Sequence, residues 1–113
     1  MSRRKWHYIL DADGKTPIEE PDLIKYVEWL EAHHEQCSVA RDAAGPYEIS
    51  TVFLGTNHNW RGTGPPVLWE TMIFGDEGDG KFGGLAQRRY ASYDDAVAGH
   101  RYFVAAVRQA VIN

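Results

Sequence analysis

Apolar and polar positions alternate in two neighbouring stretches, and the rest of the chain arranges itself around them. In YEISTVFL, Tyr47, Ile49, Thr51 and Phe53 share one face of a strand, while Glu48, Ser50, Val52 and Leu54 share the other. In VLWETMIF, Val67, Trp69, Thr71 and Ile73 oppose Leu68, Glu70, Met72 and Phe74. Both runs are rich in β-branched and aromatic residues, which predicts central strands of a sheet covered on at least one side. Between them lies a loop, 55–66, of Gly, Asn, His, Trp, Arg and Pro. Glu70 breaks the pattern. A carboxylate among apolar neighbours either pairs with an Arg near an edge or belongs to a site.

The flanking segments complete the element order. WHYIL, Trp6 to Leu10, reads as a short strand stopped by the turn residues Asp11-Ala12-Asp13-Gly14. Thr16-Pro17-Ile18-Glu19 resembles a capping box, and Pro21 moves the expected helix start to about Glu20 or Pro21. That helix reaches about His33, with Leu23, Ile24, Val27 and Leu30 as its expected buried stripe and Tyr26 and Trp29 beside it. Gln36 to Asp42 is expected to form a strand ended by Ala43-Ala44-Gly45-Pro46. The Gly-rich 75–84 segment reads as a hairpin loop, and Leu85 to Ala91 as the last strand. A final helix runs from a Ser92 cap, reciprocated by Asp95, to about Val111, with Val97, His100, Val104, Val107 and Val111 on one stripe. His100 therefore faces the sheet, either as a core histidine with one hydrogen bond or as a site residue under the loop. The order β-α-β-β-β-β-α predicts one α+β domain over 1–113, a mostly antiparallel sheet with two helices on one face.

Composition narrows the partners. A chain of 113 residues holds one modest core. A net charge of −4 argues against general nucleic-acid binding. No apolar run is long enough to cross a membrane, and the lone Cys37 allows no internal disulfide, which points to a reducing, cytoplasmic setting. Residues 11–35 hold eight acids against Lys15 and Lys25. They form either a solvated helix face or a surface that attracts a basic protein. Among four Trp, six Tyr and four Phe, residues such as Trp6, Tyr8, Trp29 and Trp69 exceed what one small core is expected to hold, which predicts a homodimer interface.

The candidate site lies where loop 55–66, loop 75–84 and the start of the last helix converge: Asn57, His58, Trp60, Arg61, Glu70, Arg89, Tyr90 and His100. Gly75, Gly80 and Lys81 match the spacing of a phosphate-binding loop. Phe82 stands where its Ser or Thr belongs, three acids would repel phosphate, and no helix start follows. A calcium loop fails on ligand spacing. His58, Glu70 and His100 have no local metal-ligand spacing, and no cofactor is expected. Cys37 follows an acidic helix and no nucleophile elbow exists, so covalent catalysis has no candidate. Acid–base work by His58, Glu70 and His100, such as phosphodiester cleavage, is the enzymatic alternative. Binding requires less: Trp60 and Phe82 stack on a flat ring, Arg61, Arg88 and Arg89 meet anionic oxygens, and Asn57 and Tyr90 read polar edges. If the last helix packs on the strand face that carries Glu70, then Glu70 and His100 converge, with Arg89 beside them.

The segments STVFLGTNHNW, GPPVLWETMIFG, RRY and DDAVAGH resemble a family of small bacteriophage and prophage proteins of unassigned function. The resemblance runs from the first strand to His100 and implies an accessory phage product in the host cytoplasm that counters host defence. Size and α+β pattern are also similar to those of viral sponges of the anti-Thoeris type, which sequester cyclic nucleotide immune signals. The expectation is therefore a binder of a small anionic nucleotide. Beside it stands an acidic inhibitor that docks on a basic host defence protein, as anti-CRISPR proteins do.

Overall fold

In the computed structural model, which describes residues 5–75 and 87–112, the two central runs pair residue for residue. Strands β3 (Ser38–Ala44), β4 (Tyr47–Phe53), β5 (Trp69–Gly75) and β6 (Gln87–Tyr90) form an antiparallel sheet in chain order. Ile49 stands opposite Ile73, Thr51 opposite Thr71 and Phe53 opposite Trp69. Those six residues share one face, and helix α2 (Tyr93–Ile112) lies on it. Ile49, Phe103, Val104 and Val107 form the core under the second half of α2. Ser92 caps this helix as its sequence predicts, accepting the Asp95 amide at 3.1 Å.

A second, two-stranded sheet closes the other end of that face. β1 (Tyr8–Leu10) pairs with β2 (Pro17–Glu19). Tyr8 and Leu10 pack with Phe53, Leu68, Trp69, Tyr90 and Ala96. Helix α1 (Leu23–Ala32) leans on this cluster through Trp29, whose ring meets Phe53 edge-on at 6.2 Å. The antiparallel α+β class with two helices is thus as expected, with one added strand. Pro17–Glu19 completes a hairpin instead of opening a helix. Asp22 supplies the cap, accepting from the Ile24 and Lys25 amides at 2.9 and 3.2 Å.

Three expectations need correction or fall outside the described residues. The stripe assigned to the α1 interior is turned outward: Leu23, Ile24 and Val27 are 55%, 67% and 41% exposed, and the buried α1 residue is Tyr26. Tyr8 and Trp69 fit within the core of a single chain, so they are not free to line an interface between copies. The 75–84 loop, with Phe82 and Lys81, lies outside the described residues but for Gly75. No helix among the described residues is long and apolar enough to cross a membrane.

Candidate functional site

Loop 55–66 is built by two asparagines. The Asn57 side chain accepts from the Asn59 amide at 2.8 Å and the Val67 amide at 3.1 Å, and donates to the Lys5 carbonyl at 3.1 Å. Asn59 donates to the carbonyls of Thr63 and Pro65, both at 2.8 Å, and accepts from the Arg61 amide at 3.0 Å. These local bonds do for the loop what a strand ladder does elsewhere. Asn57, expected to read a ligand, instead spends its carboxamide oxygen on the loop itself. Asn59 was not singled out in the sequence, although its place in NHNW gave the same signal.

The folded loop forms one wall of a groove of about 510 Å³, a size that suits a small ligand. Its lining includes His58, Asn59, Trp60, Arg61 and Val67 from the loop and Arg89 from β6. Trp60 is 63% exposed and tilts against Trp6 at 5.7 Å, with His58 edge-on to it at 5.7 Å. Trp6 comes from the other end of the chain, so no local pattern announced it. His58 Nδ1 donates to the Thr56 carbonyl at 2.8 Å. A carbonyl only accepts, so Nδ1 carries the proton and Nε2 is the ring's acceptor in its neutral form.

Glu70 sits behind Arg89. Their strands place them opposite each other, and Arg89 Nε donates to Glu70 Oε2 at 2.9 Å, while Gln87 donates to the same oxygen. The carboxylate is 9% exposed and the guanidinium 40%. A buried carboxylate thus holds a half-exposed arginine at the groove wall. Among the described residues Glu70 is the acceptor given to Arg89, and it takes Nε rather than the terminal fork that recognises oxyanions bidentately.

His100 and Tyr90 are elsewhere, which corrects the expected convergence of Glu70 with His100. Side chains alternate along a strand, so Glu70 points away from the face that carries Thr71. α2 packs on the Thr71 face, not on the face of Leu68, Glu70 and Met72. His100, 4% exposed, bonds Thr51 Oγ1 through Nδ1 at 2.7 Å and Asp42 Oδ2 through Nε2 at 2.7 Å. Thr51 and Thr71 hydroxyls meet at 2.5 Å, and Tyr90 donates to Thr71 at 3.0 Å. The expected acid–base trio of His58, Glu70 and His100 is therefore split by the sheet. Thr51, Thr71 and Asp42 were missed, although two threonines at inward positions of apolar strands are a legible sign of a buried polar network.

No family model matches the chain. No curated protein and no solved structure matches it either. What the groove can do is then read from its own chemistry. It offers an exposed indole, two guanidinium groups and an imidazole, and no three His, Cys, Asp or Glu side chains among the described residues are grouped to hold a metal ion. Cys37 is half-buried away from this lining, and burial pushes its thiol up, which weakens it as a nucleophile.

Proposed function

We propose that the protein binds and holds a small anionic, nucleotide-like molecule in the groove between loop 55–66 and Arg89. The observation that carries this reading is the exposed Trp60 ring standing in one groove with Arg61 and Arg89. A flat base stacks on the indole, and phosphate oxygens meet the two guanidinium groups. Arg89 is held ready by Glu70, so little side-chain order has to be gained on binding. Set beside the resemblance to phage proteins and viral sponges, the fitting ligand is a cyclic nucleotide signal of host immunity, and holding it would counter that defence.

The test is incubation with cyclic nucleotides and cyclic ADP-ribose isomers, removal of the unbound fraction, heating, and analysis of what is released. Unchanged ligand is expected. A hydrolysed product would replace the binder by an enzyme. Trp60→Ala removes a stacking platform worth about 1–3 kcal/mol, so its affinity should fall about tenfold to a hundredfold. Arg61→Ala should weaken binding in the same direction. His100→Gln, across the sheet, should bind as the parent does at any temperature where it is folded. Loss of binding in His100→Gln with none in Trp60→Ala would move the site to the other face.

A further inference from the structure

Helix α1 carries apolar side chains around more than half of its circumference, with Glu31 as the one charge inside that arc. At about 3.6 residues per turn, the arc from Trp29 through Tyr26, Leu30, Leu23 and Val27 to Ile24 spans about 220°. Apolar side chains grouped on a helix face that the fold leaves in solvent, and rimmed by polar ones, mark an interaction surface. The described residues cover one side of α1. Tyr26 is buried and Trp29 packs on the core, whereas Leu23, Ile24 and Val27 are left in solvent. Charge identifies what covers them. Glu31 lies among the exposed apolar residues on the helical wheel and Glu28 just beyond, within a segment of eight acids against two lysines.

We propose that the outer face of α1 is a docking surface for a basic amphipathic helix of another protein, with Leu23, Ile24 and Val27 as its apolar anchors, Glu31 between them and Glu28 at their edge. A seam of apolar side chains bordered by opposite charges is the ordinary way two helices choose each other. The same acids repel nucleic acid and anionic membrane. They also disfavour a second copy of this chain, which would bring like charges together along the seam. Three anchors on a short helix make a small interface, so the complex is weak and transient, with charge setting its rate of formation.

The probe is a synthetic amphipathic peptide of Leu and Lys, with a Leu and Glu twin of the same pattern. Titrated into the labelled protein, the Leu/Lys peptide should perturb amide signals on α1 and the twin should not. Ile24→Ser with Val27→Ser removes two exposed anchors without opening the core, and should weaken binding about tenfold or more. Glu28→Lys with Glu31→Lys should exchange the preference, so that the Leu/Glu peptide binds instead. Binding that survives the two serines, perturbations mapped away from α1, or no binding of either peptide would overturn the proposal. So would sedimentation that shows a dimer dissolved by the two serines, because a second copy would then be the occupant.

Discussion

Thr51, Thr71, Tyr90 and His100 form a chain of hydrogen bonds in which direction is set from one end. The Asp42 carboxylate only accepts, so His100 Nε2 donates to it. In the neutral ring Nδ1 then accepts from Thr51, Thr51 accepts from Thr71, and Thr71 accepts from Tyr90. Each threonine hydroxyl in the run both accepts and donates in the same sense, which is how a buried polar cluster avoids an unpaired group. Gly99 belongs to the same arrangement. A Cβ there would stand 2.2 Å from the Tyr90 hydroxyl oxygen, so any larger residue displaces the tyrosine that starts the chain. Thr51→Val keeps shape but strands its neighbours, and should cost about 1–3 kcal/mol in chemical denaturation. Thr71→Val should cost a similar amount. Because the second substitution removes a group the first has already stranded, the double variant should lose less than the sum. Strict additivity would show that the hydroxyls act independently and that the directed chain is not what holds α2 to the sheet.

Single elements differ in how far their sequence determines them, and the β1–β2 hairpin shows both limits. Its turn is written locally: Asp13 accepts from the Thr16 hydroxyl at 2.6 Å and from the Lys15 and Thr16 amides at 2.8 and 2.9 Å. Those bonds, the Thr16 hydroxyl first, pull the Asp13 carboxyl from 3.8 down to about 2. The native group therefore titrates below the unfolded one. Its contribution to stability is complete above pH 3.8 and is lost as pH falls through about 2. Asp13→Asn should lower the melting temperature by a constant amount above that window, and the gap to the parent should close inside it. A gap that stays constant down to pH 2 would mean that the carboxylate charge is not what closes the turn. The strand after the turn was not legible, because Thr16-Pro17-Ile18-Glu19 also fits a helix start and only pairing with Tyr8–Leu10 decides between them. Helix α2 and strands β4 and β5 were legible because cap, period and length agree. Their relative facing was not. Leu68, Trp69 and Glu70 are all buried, so burial near that end of β5 does not alternate, and the pattern cannot say which side receives the helix. The same uncertainty explains the candidate site. His58, Trp60, Arg61 and Arg89 line one groove, while Tyr90, one residue after Arg89, points to the other face with His100. The α1 stripe misled for a different reason: its apolar arc is too wide to indicate which part of it faces the chain.

The whole molecule is joined where its N-terminal segment meets the groove loop. Tyr8 donates its amide to the Gly55 carbonyl at 2.8 Å, and Asn57 donates to the Trp6 carbonyl at 2.8 Å. Tyr26 of α1 reaches the same place, its hydroxyl donating to the Leu54 carbonyl at 3.0 Å and lying 3.2 Å from Thr56 Oγ1. Gly55 has φ 78°, and a Cβ on it would stand 2.6 Å from the Tyr26 hydroxyl oxygen, so backbone and phenol are fitted to each other. Burial raises the Tyr26 phenol, and it stays a donor at neutral pH. The one buried residue of α1 is thus a clip on the base of the loop that carries His58 and Trp60. Tyr26→Phe keeps the ring in the core and removes the clip. It should lower global stability by about 1 kcal/mol. Its larger effect should be local: faster hydrogen exchange at the Asn57 and His58 amides, which bond Trp6 and Val67, and weaker nucleotide binding although no groove residue has changed. If those two amides exchange as in the parent while stability falls, the Tyr26 hydroxyl supports the fold as a whole and does not set the loop. The loop would then be held by its backbone bonds to Trp6, Tyr8 and Val67 and by the Asn57 and Asn59 side chains, and the groove would keep its ligand affinity without the clip.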